Sequence, residues 1–173
     1  MQVEVRPAVA ADAPAMGRVH VLSWQAAYPG LISQDYLDGL DVGERVEHWR
    51  RAISRLRELT PLLVAVTGDD LVGFAGFGPV RGGDSPPPTV GELYGIDVRP
   101  DVWGRGVGAA LLAAVHRGLA EHGYRRAVLW VLPGNRRART VYEHYGWRPD
   151  GVNRTAEVFG VTVPETRYWR RLP

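Results

Sequence analysis

Hydrophobic and polar positions change period several times along the chain, and each change predicts an element. Val3 to Val9 alternates as a first strand does, and Asp12 stands where an N-cap precedes a helix running to about Gln25. From about Val42 to Glu58, Val46, Trp49, Ile53 and Leu56 recur at helical spacing, with Arg45, Arg50, Arg51 and Arg55 between them as a solvated face. Leu62 to Val66 reads as a strand that Gly68-Asp69-Asp70 turns back into a hairpin partner, Leu71 to Phe77. Val90 to Val98 is a further strand, broken by Arg99-Pro100-Asp101, and a helix follows from about Gly104 to His122. Arg126 to Leu132 is almost continuously apolar, as a central strand should be. A helix from Asn135 to Tyr145 ends at Gly146 in a left-handed cap, and Trp147 to Asn153 and Thr166 to Leu172 close the chain as strands. The order β-α-α-β-β-β-α-β-α-β-β describes an α/β domain around a mixed sheet, not a doubly wound one.

No repeat or linker divides residues 1–173, so one domain is expected. Arg81 to Pro88 is the only stretch of disorder-like composition and reads equally as a functional loop or a plain variable one. No apolar run approaches the roughly 18–20 residues that span a bilayer, and the first residues lack a secretory pattern, which together predict a cytoplasmic protein with no membrane partner. The chain has no cysteine, which removes disulfides, thiolate catalysis and cysteine zinc sites. All 21 basic residues are arginine, so a lysine Schiff base and a Walker-type lysine are also excluded. The net charge is only +2 and no basic face with interleaved aromatics stands out, which argues against a nucleic-acid partner. The five histidines form no metal-binding spacing, and no metal is expected.

The informative segment is Val98-Arg99-Pro100-Asp101-Val102-Trp103-Gly104-Arg105-Gly106-Val107-Gly108-Ala109-Ala110-Leu111-Leu112. Three alternate glycines open a helix directly after a strand. Glycine lets backbone approach an anion closely, and the unpaired N–H groups of a helix start bind phosphate. A loop that merely packs the helix on the sheet is the competing explanation. The spacing Gly104-x-Gly106-x-Gly108 does not fit G-x-G-x-x-G, and no acidic residue ends the following strand where a ribose would be held.

With Leu111-Leu112 behind it, this segment resembles the acetyl-CoA motif of the GCN5-related N-acetyltransferases, the GNAT superfamily. Asn135-x-x-Ala138-x-x-x-Tyr142-x-x-x-Gly146-Trp147 resembles the next motif of that family, and the order of elements matches over essentially the whole chain. Trp103 departs from the pattern, since the family usually has Gln or Arg there. The resemblance implies a GNAT-like fold with a mixed, mostly antiparallel central sheet flanked by helices. It implies acetyl-CoA as co-substrate, an amine acceptor that is a small molecule or a peptide, and direct attack in a ternary complex. It also allows a homodimer paired through the sheets.

Carried over residue by residue, the resemblance puts the pyrophosphate on backbone N–H groups of Arg105, Gly106, Val107, Gly108 and Ala109, with Gly104 a further coenzyme-binding position. It runs the pantetheine along the main chain of Ile96, Asp97 and Val98, with a backbone N–H near Val98 facing the oxyanion. Asn135 would meet the pantetheine, although its residue type is also that of an ordinary N-cap. Tyr142, two helical turns beyond Asn135, would protonate the departing thiolate; without the motif it reads as a core aromatic. Glu92 is the first candidate for the group that takes the amine's proton, on the expectation that residues 92, 94, 96 and 98 share one strand face, with Asp97 opposite and weaker. Trp24 and Tyr28, together with Tyr36, would form the acceptor wall or pack as ordinary aromatics. Arg136, Arg137 and Arg139 read as a solvated helix face that could also reach coenzyme phosphates. A non-catalytic acyl-CoA-binding module is the alternative function.

Overall fold

Elementary periodicity is realised as one seven-stranded sheet in a computed structural model that describes residues 2–55, 61–82 and 87–173. The strands are β1 (Glu4–Pro7), β2 (Leu62–Thr67), β3 (Asp70–Pro79), β4 (Val90–Val98), β5 (Arg126–Val131), β6 (Arg148–Val158) and β7 (Val161–Arg171). They lie in the order β1-β2-β3-β4-β5-β7-β6. Only β4 and β5 run parallel, and every other neighbouring pair is antiparallel. The helices are α1 (Ala13–Ala27), α2 (Gln34–Asp38), α3 (Val42–Arg55), α4 (Val107–Glu121) and α5 (Arg136–His144). The Leu56–Glu58 end expected for the second helix and residues 83–86 of the expected loop lie outside the described residues.

Each sheet face buries the apolar stripe of a different helix set. On one face Leu111, Leu112, Val115 and Leu119 of α4 meet Phe77, Leu93, Ala127 and Leu129. On the other, Met16 and Val19 of α1 and Ile53 of α3 meet Val64 and Phe74. Burying each such side chain contributes about 1.5–3 kcal/mol, so these two layers fix the helices that carry the site.

Three local expectations change. Asp12 caps the short 3-10 turn Ala10–Asp12, not α1: its carboxylate accepts from Val9 N at 2.8 Å and pairs with Arg6 at 2.8 and 2.9 Å. A short extra helix, α2, begins at Ser33, whose hydroxyl accepts from Tyr36 N at 3.2 Å. The last two strands are longer than expected, because Phe159-Gly160 forms a tight turn between Val158 and Val161.

A further change, within the sheet, bears on the site. Between β3 and β4 the register steps from Gly76↔Gly95 to Phe77↔Leu93, so Tyr94 is an extra residue in a β-bulge. The bulge resets the alternation. Gly91, Leu93, Ile96 and Val98 face α4, whereas Glu92 and Asp97 face the α1 side. The expectation that residue 92 shares a face with 96 and 98 is therefore overturned.

Candidate active site

Parallel pairing of β4 with β5 ends at Leu93↔Leu129, although β4 continues to Val98. Past that point the two strands part. Arg99 N donates to Val72 O at 2.8 Å, which sets the phase of the β3–β4 ladder. By alternation the main-chain groups of Asp97 are turned toward β3, and those of Ile96 and Val98 toward the gap. A cleft of about 500 Å³ passes through this gap, from α4 and α5 on one side of the sheet to α1 on the other.

The glycine loop forms one end of the cleft, with Gly104, Gly106, Gly108 and Ala109 in its lining. Gly104 and Gly106 adopt φ of 76° and 89°, a region in which a side chain is strained, and Gly106 is the N-cap of α4. A Cβ placed on any of the three glycines would meet nothing within 4 Å. Close packing of helix on sheet therefore does not explain them. Ala110 N makes the first backbone bond of α4, to Gly106 O at 3.0 Å, and no backbone carbonyl among the described residues accepts from Gly106, Val107, Gly108 or Ala109 N–H. Those four donors, with the helix dipole behind them, suit a phosphate. The N–H of Arg105 is already used by Val102 O at 3.3 Å, and its side chain is exposed outside the lining. The Val107 side chain is buried in the core beneath.

Trp103 also borders the cleft. Its indole N–H donates to Val98 O at 2.8 Å, and the Arg137 guanidinium lies 4.1 Å from the centre of its ring. The departure from the expected residue thus ties the end of β4 to α5 across the cleft mouth. Arg139 is engaged elsewhere, with Tyr168 Oη at 2.9 Å and Pro133 O at 2.8 Å, and Arg136 is exposed.

Asn135, the N-cap of α5, and Tyr142 within it both enter the lining, as two-turn spacing requires. Asn135 Oδ1 accepts from Ala138 N at 3.1 Å and so caps α5 while facing the cleft. Gly146, at φ 83°, ends the helix, and Trp147 N returns to Tyr142 O at 3.0 Å, which locks the tyrosine's turn. Burial, and then the nearby Asp97, push the Tyr142 hydroxyl upward, so it keeps its proton at neutral pH.

Ser23, Trp24 and Ala27 of α1, with Tyr28 that caps it, line the other side. Trp24 is held by a stack on His20 at 5.0 Å and by the edge of Phe159 at 5.5 Å. Burial holds His20 neutral, its pKa lowered to about 3. Tyr36 does not line the cleft; its hydroxyl donates to Phe159 O at 2.6 Å and anchors the β6–β7 turn against α2. Phe159 itself has φ 51°, a strained value for an aromatic residue.

Glu92 is absent from the cleft lining. It is buried where β4 and β5 are still paired, and its carboxylate accepts from Arg81 N at 2.7 Å and lies 3.4 Å from Arg81 Nη2. Asp97 is instead the acidic side chain of the lining, and it accepts a hydrogen bond from Ser23 Oγ. Ser23 was not singled out from the sequence, although it stands one helical turn before Ala27, which lines the same cleft.

A family model described as the acetyltransferase (GNAT) family matches residues 23–147, which takes in the α1 wall, the glycine loop and α5. The chain belongs to the GNAT family of acetyltransferases. Among its GNAT relatives, the uncharacterised N-acetyltransferase YuaI of Bacillus subtilis is 32% identical over 94% of this chain and 90% of its own. A mycothiol acetyltransferase of Geodermatophilus obscurus is 33% identical over 61% of this chain but only 36% of its own length. The PaiA N-acetyltransferase of Thermoplasma acidophilum, solved with coenzyme A, shares the fold at TM-score 0.78 and 19% identity, with 99% of each chain covered. Among the described residues no group of acidic or histidine side chains is placed to hold a metal, and no helix is long and apolar enough to cross a membrane.

Proposed function

We propose that the protein transfers the acetyl group of acetyl-CoA to a primary amine by direct attack in a ternary complex. The observation that carries this reading is the continuity of one cleft: it joins four unpaired N–H groups at the start of α4 to a buried, protonated Tyr142 through the gap between β4 and β5.

In this reading the pyrophosphate lies on the N–H groups of Gly106 to Ala109, and Asn135 meets the pantetheine. The arm follows the gap, where the main-chain groups of Ile96 and Val98 face it. Val98 N–H steadies the oxyanion as the amine adds to the thioester carbonyl. Val98 O is already bonded to Trp103, so the pantetheine uses the remaining groups of this edge. The thiolate leaves toward Tyr142 and takes its proton. The amine enters from the α1 side, past Trp24 and Tyr28.

The variant Tyr142→Phe tests the assignment. A lost general acid lowers kcat about 100-fold or more, while acetyl-CoA affinity, measured by calorimetry, stays within about twofold. Equal turnover by the two proteins removes Tyr142 from the reaction.

A further inference from the structure

Among the described residues Asp97 is the only acidic side chain lining the cleft, and the transferase reading gives it no part through its side chain. Ser23 Oγ donates both to His20 O at 3.0 Å and to Asp97 Oδ1, so one carboxylate oxygen is fixed from α1. Among the described residues Oδ2 has no hydrogen-bond partner, and it is not among the buried side-chain atoms left without one. It is therefore open to the cleft. Trp24 and Tyr28 line the same cleft, with ring centres 5.0 Å apart and planes at 76°. A carboxylate oxygen open to a cleft walled by aromatic rings suits a cation.

Resting on the transferase reading above, we infer that Asp97 accepts the proton of the incoming amine, that Ser23 positions its carboxylate, and that the acceptor is a primary alkylamine presented as its ammonium ion. An amine carrying a carboxylate next to its nitrogen would set like charges together at Asp97 and is selected against. The other lining side chains with ionisable nitrogen are on α5: Arg137 is stacked on Trp103, and His144 is exposed past Tyr142. Glu92, engaged with Arg81 and outside the lining, is not placed for the task.

The proton balance closes. The ammonium gives one proton to Asp97 Oδ2, and the neutral nitrogen forms the new C–N bond to the thioester carbon. The C–S bond breaks as the carbonyl re-forms, and the departing sulfur takes the Tyr142 proton. The nitrogen's second proton returns to the Tyr142 oxygen. Asp97 then releases its proton to solvent, the one net proton of the reaction.

The groups facing Asp97 are the Ser23 and Tyr28 hydroxyls from α1 and the Tyr142 hydroxyl from α5; its neighbour on β3, Phe74, is apolar. Burial pushes its carboxyl up to about 7, against the hydrogen bond from Ser23. That value lets it take a proton near neutral pH and give it back.

The test follows thiol release from acetyl-CoA across a panel of primary amines, with the best amine then used for pH profiles of kcat/KM. The wild type should show an acidic limb with its midpoint near pH 7. Asp97→Asn should bind acetyl-CoA normally, lose at least about 100-fold in kcat and lose the limb. Ser23→Ala, which keeps the carboxylate but removes the bond that fixes it and favours its charged form, should lower kcat less than Asp97→Asn does and move the limb to higher pH; this variant decides the matter if Asp97→Asn does not fold. Plain alkylamines should exceed the corresponding amino acids. Asp97→Asn with full turnover and an intact limb, while Glu92→Gln loses both, overturns the inference and leaves the transferase standing. Preference for amino acids overturns the substrate class. A wild type that turns over no amine overturns the transferase reading, and this inference with it.

Discussion

The Ser23 hydroxyl donates to Asp97 Oδ1 across the boundary between α1 and β4, joining residues 74 positions apart in the chain. That bond fastens the wall carrying Trp24 and Tyr28 to the strand edge where β4 leaves β5. The cleft therefore has a fixed width at the point where, in the proposed reaction, the acceptor meets the thioester.

Asp97 also makes stability depend on pH in a definite direction. Its carboxyl titrates at about 7 in the folded chain against an ordinary 3.8, so between those values the native state holds more protons than the unfolded one. Its favourable contribution is full below the unfolded value and is lost as pH rises through the folded value. Asp97→Asn has no charge to lose. Calorimetry should find the variant melting above wild type at pH 8, with the difference shrinking steadily toward pH 4.5. A pH-independent difference would contradict the buried, charged carboxylate.

The glycine loop separates backbone demand from ligand demand. Gly106 at φ 89° needs glycine for its conformation, so Gly106→Ala should cost stability, about 1–2 kcal/mol, as well as affinity for acetyl-CoA. Gly108 is not in that region, and its added Cβ would meet nothing within 4 Å. Gly108→Ala should leave the melting temperature within about 1 °C and still weaken acetyl-CoA binding about tenfold, because its methyl group enters the space the phosphate needs. Unchanged affinity would remove Gly108 from the binding surface.

Much of this arrangement was legible in local pattern. Asn135 and Tyr142 stand two turns apart, and helix geometry alone puts them on one side. The loop was legible because three glycines at a strand-to-helix junction are physically unusual there. The face of Glu92 was misread because alternation was carried straight through Tyr94. Gly95, a glycine inside a strand, was the available sign of a bulge. Ser23 and Asp97 meet only through tertiary packing, which no periodicity reports. The long β6–β7 arm was read short because many of its residues are exposed and Pro164 interrupts the strand pattern.

Trp103 makes a separate contribution at the cleft mouth. Its bond to Val98 O and its stack under Arg137 are worth about 0.5–1.5 and 0.5–1 kcal/mol respectively. Trp103→Ala should therefore raise the acetyl-CoA Kd about 5- to 70-fold with little change in kcat. Trp103→Phe keeps a ring for Arg137 and should lose about half of that free energy. An unchanged Kd in both variants would show that the tie is not part of the coenzyme site.

The most direct measurement of the central claim pairs thiol release with the fate of the acetyl group. Acetyl-CoA labelled in its acetyl carbon is incubated with the protein and a panel of primary amines. Released thiol is read with Ellman's reagent, to which this cysteine-free chain adds no background. Acetylated amine is identified by mass spectrometry. The account predicts thiol release that depends on an amine and an equal amount of labelled N-acetyl product. Tight acetyl-CoA binding with no thiol release from any amine would contradict it and identify the protein as an acyl-CoA-binding module.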